Sequence, residues 1–238
     1  MQKIGIIGGL GPEATADYYK RITRFFHEYN KSLATPDIII YSVDMAQLFK
    51  FADDGRFDEM AHWLACKVAA LKDAGADFAA IASNTPHVVF DAIRGQSPLP
   101  LISIVQATLD AAKLGGFRKL ALLGTGLTMR TNFYGDRFAA AEIAVVTPDP
   151  AAQRYIENKL DSEIERGIFH DSTRRELLAI IDEMKHRHAV DGVILGCTEL
   201  PLILEDGAAD IPFLNTTAIH VNAICQRWIE GRQDNDRN

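Results

Sequence analysis

The chain has 238 residues, 47% of them hydrophobic and 24% charged, with a formal net charge of −7. That balance suits a globular protein, and the acidic excess argues against a nucleic-acid partner, which calls for clustered Lys and Arg. No apolar run approaches membrane-spanning length, and GIIGGL (5–10) is too short for the apolar region of a secretory signal.

In chain order, IGIIGG (4–9) reads as a buried strand and PEATADYYKRITRFFHEYN (12–30) as a helix, with Pro12 in its first turn. DIIIYSVD (37–44) is a second strand, and Phe57 to Gly75 a long helix that the glycine stops. ADFAAIAS (76–83) is a strand, PHVVFDAIRG (86–95) a helix, and 99–116 a short strand followed by a helix. KLALLGTG (119–126) then gives a strand, MRTNFYGDRFAAA (129–141) one helix and EIAVVTPD (142–149) a strand. Helices follow over Pro150 to Gly167 and Ser172 to His188, then the strand VDGVILGC (190–197) and a short helix or turn at ELPLILED (199–206). IPFLNT (211–216) is the last strand, TAIHVNAICQRWIEG (217–231) the last helix, and RQDNDRN (232–238) a frayed polar tail. Strand and helix alternate, and the strands are continuous apolar runs, which predicts parallel sheets covered on both faces. Ligands of such folds collect at the carboxyl ends of the strands, where GGLGP, SNTPH, GTGLT and GCTEL stand.

The two halves repeat each other. Gly8, Thr15, Tyr18 and Arg21 match Gly124, Thr131, Tyr134 and Arg137 at an offset of 116. Asp77, Ser83 and Asn84 match Asp191, Cys197 and Thr198 at an offset of 114. The matches fall at strand ends and helix starts, so an internal duplication is expected. Its first half covers 1–100, with the helix over 216–238 packing back on it, and its second half covers 101–215; the hinge is expected between Leu99 and Ile104. The repeat puts Ser83 and Cys197 at equivalent points, the arrangement needed to reach one carbon from opposite faces.

Cys66, Cys197 and Cys225 form no C-x-x-C pair, which suits a reducing, cytoplasmic setting. Cys66 and Cys225 lie in amphipathic stretches and read as small buried hydrophobes. Cys197 sits in the Gly-Cys-Thr-Glu turn, where a reactive thiol and a buried structural one both remain open. A helix starting there would lower the thiol's pKa from about 8.5. At SNTPH, Ser83, Asn84 and Thr85 can hold a substrate carboxylate or simply cap a helix before Pro86, and His87 reads as a helix-surface histidine. GLGPEA (9–14) matches a dinucleotide fingerprint, but Asp44, 30 residues beyond Ala14, is too distant for its acidic partner. It reads instead as a glycine turn offering backbone N–H groups to an anion. His186 and His188 point apart on a helix, so no metal site is expected. No G-x-S-x-G elbow occurs.

GIIGGLGPEAT, SNTPH, LLGTGLTM and GCTELP, in this order over nearly the whole chain, resemble the aspartate/glutamate racemase family. The resemblance implies two Rossmann-like α/β halves related by a pseudo-twofold axis, with the active site in the cleft between them. It further implies a cofactor-independent enzyme and a homodimer. Two cysteines then flank the substrate Cα, one removing its proton and the other supplying one to the opposite face. This chain departs at the first of them, where Ser83 stands. A hydroxyl is a far weaker acid than a thiol, so Ser83 can donate or relay a proton but not easily remove one, and processing should favour one enantiomer.

The expected activity is racemisation of aspartate or glutamate, with catalytic Cys197 and Ser83. Asn84, Thr85, Thr125 and Thr198 hold the α-carboxylate, and Leu10 lines the site. Arg166 grips a distal carboxylate or is merely a solvated charge, and Glu199 orients the amino group or Cys197. The partner is a small amino acid; no metal, cofactor, nucleic acid or membrane is expected. Gln47 and Leu48 stand where some members place an arginine, so side-chain specificity can have drifted. The alternatives are a single-cysteine decarboxylase of malonate-type acids and a non-catalytic amino-acid-binding relative.

Overall fold

The computed structural model describes residues 2–235. The chain forms two compact units. One holds the residues up to Ile104 together with those from Thr217 onward; the other is Val105–Thr216. Each contains one four-stranded sheet, all parallel, so the α/β class expected from the alternation is present in both.

In the first unit, strands β1 (Ile4–Gly8), β2 (Ile38–Ser42), β3 (Phe78–Ile81) and β4 (Leu101–Ile102) lie in the order β2-β1-β3-β4. The helices are α1 (Pro12–Asn30), α2 (Met45–Asp53), α3 (Phe57–Asp73), α4 (Phe90–Gln96) and α10 (Thr216–Asn235), the last of which begins at the final residue of the second unit. Successive strand residues serve opposite faces. Ile4, Ile6, Phe78 and Ala80 pack with Tyr18, Ile22 and Phe26 of α1 and with Val221, Ile224, Cys225 and Trp228 of α10. Ile7, Ala79 and Ile81 pack instead with Leu48, Leu64, Val68 and Ile93 of α2 to α4. The Trp228 indole N–H donates to the Gln2 carbonyl at 2.6 Å, fixing α10 beside the start of β1.

The second unit repeats the order. Strands β5 (Lys119–Gly124), β6 (Ala144–Val146), β7 (Gly192–Gly196) and β8 (Phe213–Asn215) lie as β6-β5-β7-β8. Its helices are α5 (Ile104–Leu114), α6 (Gly126–Arg130), α7 (Phe133–Ala139), α8 (Pro150–Ser162) and α9 (Asp171–His188), α5 opening on the last residue of the first unit. Ala121, Leu123, Val193 and Leu195 pack with Ile156 and Leu160 of α8 and Leu177, Ile181 and Met184 of α9. Gly124 lies opposite Gly196, where a Cβ on Gly124 would come within 2.7 Å of the Gly196 carbonyl, so the two strands need glycine to end side by side.

Several elements differ from the sequence expectation. Helix α2 was not anticipated; Asp44 caps it by accepting from the Ala46 N–H at 2.9 Å, and Leu48 buries its apolar face. The single helix expected over 129–141 is two, interrupted where Thr131 turns extended. The helix expected from Pro86 opens with a 3₁₀ segment, Thr85–Val89. Cys225 is buried as expected, but Cys66 is exposed, because Met60, Ala61, Leu64, Ala65 and Val68 already fill the inward face of α3. Of the polar tail, residues 232–235 continue α10, and 236–238 lie outside the described residues. Among the described residues no helix is long and apolar enough to cross a membrane, and no group of His, Cys, Asp or Glu could hold a metal ion.

Candidate active site

Four strand ends carry the polar motifs, two in each unit. At the end of β1, Gly9 turns the chain at φ +81°, where a Cβ would sit 2.3 Å from the Val43 carbonyl, and α1 starts at Pro12. The turn was expected to offer its N–H groups to an anion, but the Gly9 N–H already donates to the Thr15 hydroxyl at 2.9 Å. The Leu10 side chain, expected to line the site, packs in the core with α2 and α3.

At the end of β3 stand Ser83, Asn84 and Thr85, all buried. Ser83 and Asn84 precede the 3₁₀ segment, which Thr85 opens, and the Asn84 carbonyl accepts from the His87 N–H at 2.9 Å. His87, expected on a helix surface, is 4% exposed. Its Nδ1 meets the Ser83 carbonyl at 3.0 Å, and burial, with His220 nearby, holds its pKa down at about 3. It is a neutral buried ring. The sign available in the sequence was the four-residue spacing from Ser83, which puts a helical side chain beneath a turn.

At the end of β5, Thr125 caps α6: its hydroxyl accepts from the Thr128 N–H at 3.3 Å and lies 3.0 Å from the Thr128 hydroxyl. At the end of β7, Cys197, Thr198 and Glu199 are all buried. The Cys197 thiol donates to Glu199 Oε2 at 3.2 Å, and the Thr198 hydroxyl donates to the same oxygen at 2.8 Å. The helix start imagined at Cys197 is not there. The chain passes through a turn before a single 3₁₀ segment, Leu200–Leu202, too short for an appreciable macrodipole.

The lowering of the thiol pKa that a helix start would bring is accordingly absent, and the shift runs the other way. Burial pushes the Cys197 thiol well above its ordinary value, and the Glu199 and Glu165 carboxylates push the same way; a backbone hydrogen bond at Glu199 pulls partly back. Glu165 is the residue the sequence reading missed. It belongs to the 3₁₀ segment Ile164–Arg166, and burial, then the charges of Glu199 and Asp161, raise its pKa to about 7. Arg166, its neighbour, is exposed, and its Nε donates to the Asp161 carbonyl at 2.9 Å. The sign in the sequence was Ile164 within Glu-Ile-Glu-Arg, an apolar residue that turns one side of the segment inward.

A buried thiol thus lies beside a buried carboxylate after one inner strand of the second sheet, and Ser83 follows the matching strand of the first. A profile of the Asp/Glu/hydantoin racemase family matches residues 7–224. The chain belongs to this family. It is 25% identical over 218 residues to the broad specificity amino-acid racemase RacX of Bacillus subtilis, a match covering 90% of this chain and 93% of that one. Among solved structures it resembles a Yersinia pestis protein provisionally described as an Asp/Glu racemase (TM-score 0.87, 33% identity, 95% and 99% of the two chains covered). It also resembles an aspartate racemase homologue from Pyrococcus horikoshii OT3, with a TM-score of 0.81, 32% identity and coverage of 95% and 98%.

Both Ser83 and Cys197 fall inside the matched range, buried at the ends of β3 and β7, with Asn84 and Thr85 beside the first and Thr198 beside the second.

Proposed function

We propose that the protein is a cofactor-independent amino-acid racemase that removes and returns the Cα proton of a bound amino acid. Cys197 is the base for one enantiomer, and Ser83 is the weaker acid serving the opposite face. The observation that carries this reading is the contact between the Cys197 thiol and Glu199 Oε2 at the end of β7.

The chemistry follows from the charges. Without substrate the thiolate is disfavoured, because burial and two carboxylates oppose it. A bound zwitterion brings an ammonium group, a positive charge that offsets both carboxylates and lets the thiol proton pass to Glu199. The thiolate then takes the Cα proton, and its sulfur becomes a thiol again. The carbanion-like state is held through its carboxylate by donors of Asn84, Thr85, Thr125 and Thr198. Reprotonation from Ser83, directly or through water, completes inversion; the Ser83 oxygen regains a proton from solvent and Glu199 releases the one it took, which restores the resting state. If the thiol proton first exchanges with solvent, its return from Cys197 gives exchange without inversion. Because a hydroxyl is a poor source of the reverse base, the enzyme favours one enantiomer.

Aspartate and glutamate are the leading substrates, in keeping with the family, with Arg166 holding the distal carboxylate. The position of Glu165 favours a second reading, an amino acid whose side chain is neutral or cationic. A carboxylate with a pKa near 7 beside Cys197 and Glu199 repels an anionic side chain on that side, and the broad specificity of the Bacillus subtilis relative fits. The absence of paired cysteines fits a reducing, cytoplasmic setting, and the family resemblance suggests a homodimer.

The test is proton NMR in deuterium oxide on both enantiomers of aspartate, glutamate, alanine and lysine, with Cys197→Ala as control. Loss of a Cα proton signal that the control abolishes supports the reading and names the substrate class. A protein that exchanges none of the eight would end it.

A further inference from the structure

Two buried histidine rings flank the backbone around Ser103, and their hydrogen bonds fix both tautomers. His87 Nδ1 lies 3.0 Å from the Ser83 carbonyl, and its Nε2 lies 3.2 Å from the Ile104 N–H. A carbonyl only accepts and a backbone N–H only donates, so Nδ1 carries the proton and Nε2 is bare. His220 is the reverse. Its Nε2–H donates to the Ile102 carbonyl at 3.0 Å, and its bare Nδ1 accepts from the Tyr18 hydroxyl at 2.8 Å. The two rings meet edge to face at 6.4 Å, and His87 stacks on Phe90 at 4.7 Å.

The place of these bonds in the chain gives them significance. Ile104 is the last residue of the first unit before the chain leaves it. His87 therefore joins the outgoing crossing to the turn that carries Ser83. The return crossing, between Thr216 and Thr217, has a counterpart: the Thr216 hydroxyl donates to the Leu195 carbonyl at 2.7 Å, two residues before Cys197. The strand registers make Ile102 equivalent to Leu214, and two residues on, Ile104 and Thr216 are equivalent, each opening a helix at a crossing. Each crossing is thus bonded to the strand end that bears a proton-transfer residue.

We propose, building on the racemase reading above, that His87 is a positioning residue for the reaction: its ring fixes the Ser83 carbonyl, so placing the Ser83 hydroxyl, and ties that placement to the outgoing crossing at Ile104. Ser83 lies outside strand and helix; its N–H donates to the Ile81 carbonyl at 2.8 Å, and the His87 ring holds its carbonyl. Proton transfer is steep in distance, and a misplacement of about 1 Å can lower a rate on the order of 100-fold.

The two nitrogens of His87 can be tested apart. His87→Asn keeps an amide donor near the Nδ1 position for the Ser83 carbonyl. His87→Gln keeps an acceptor near the Nε2 position for the Ile104 N–H. In deuterium oxide, Cα exchange through Cys197 and full inversion through Ser83 are read from the same sample. His87→Gln is expected to lower inversion on the order of 10- to 100-fold while exchange stays within about 2-fold, and His87→Asn to retain more inversion than His87→Gln. Nitrogen-15 NMR of the wild-type histidines is expected to show His87 as the Nδ1–H tautomer and His220 as the Nε2–H tautomer, both neutral at pH 5. A His87 ring found as the Nε2–H tautomer, or titrating near 6.5, would overturn the proposal whether or not the variants fold. Equal losses of exchange and inversion in both variants would overturn it too, since that is the mark of a purely structural ring. A wild-type protein that neither exchanges nor inverts any amino acid removes the racemase reading itself, and the positioning role with it.

Discussion

The Cys197 thiol and the Glu199 carboxylate, two residues apart, meet at 3.2 Å in a buried turn, with Thr198 donating to the same carboxylate oxygen. The proton in this contact can rest on sulfur or on oxygen. Burial and the Glu199 and Glu165 charges favour sulfur, and a positive charge brought beside the pair would shift the balance toward oxygen.

Removal of the pair's sulfur should therefore be decisive. Cys197→Ser is expected to lower Cα exchange by about 10²- to 10⁴-fold, the usual worth of a placed acid or base, with little change in fold because the replacement is nearly isosteric. Exchange rates in deuterium oxide and the circular dichroism spectrum check the two halves of that statement.

Neutralising the neighbouring carboxylate tests the direction of the thiol's shift. Glu199 raises the Cys197 pKa through its charge, so Glu199→Gln should move the thiol's titration to lower pH. The rate of iodoacetamide labelling of Cys197, followed against pH, should rise earlier in the variant than in the parent. A later rise would contradict the electrostatic account.

Ser83→Cys restores a thiol at the equivalent strand end. If the proposed two-face mechanism holds, the variant is expected to narrow the difference between the enantiomers, since both proton-transfer positions then carry a group able to act as base and acid. Chiral chromatography of reactions begun from each enantiomer separately provides the measurement.

The architecture was largely legible in the sequence, and the local electrostatics were not. Apolar runs ending in polar bursts identified the strands and the motif positions, because buried parallel strands must be apolar and their carboxyl ends must face solvent or ligand. Helix α2 escaped notice because its nine residues are short for periodicity to show, and its Asp44 cap is one residue among several polar ones. Cys197 was read in a turn that could open a helix, and whether such a turn continues as α or stops as 3₁₀ depends on the packing of Leu200 and the chain beyond it. His87 and Glu165 owe their shifted pKa values first to burial and then to groups distant in sequence, His220 in one case and Glu199 in the other. No local pattern could report those partners.

Stability should pass through a maximum between about pH 7 and pH 9. His87 and His220 are held at about 3 and 4, below their ordinary 6.5, so the unfolded chain binds protons that the folded chain refuses, and stability falls as pH drops below about 6.5. Glu165, raised to about 7, works against this between roughly 4.5 and 7, because its folded form keeps a proton that the unfolded form loses. Between about pH 5 and pH 6, two histidines against one carboxylate leave about one net proton, or about 1.4 kcal/mol per pH unit. Above pH 9 the raised thiols of Cys197 and Cys225 lower stability again. Urea midpoints measured from pH 4.5 to pH 10 check the curve. A midpoint that climbs steadily as pH falls from 7 to 5 would contradict the buried neutral histidines.

Trp228 is fully buried against Phe26, and its N–H bond to the Gln2 carbonyl is the link between α10 and the first strand. Trp228→Ala should cost about 3 to 5 kcal/mol of stability, seen as a lower midpoint in urea denaturation.

The return of α10 to the first sheet also sets an order of assembly during synthesis. Residues 105–216 emerge from the ribosome as one uninterrupted stretch and can complete their sheet without waiting for later sequence. The unit synthesised first cannot do the same: one face of its sheet stays open until Val221, Ile224, Cys225 and Trp228 arrive. The half that begins translation is therefore the half that finishes folding last, and its nascent form, with that apolar face uncovered, is the species most in need of a chaperone.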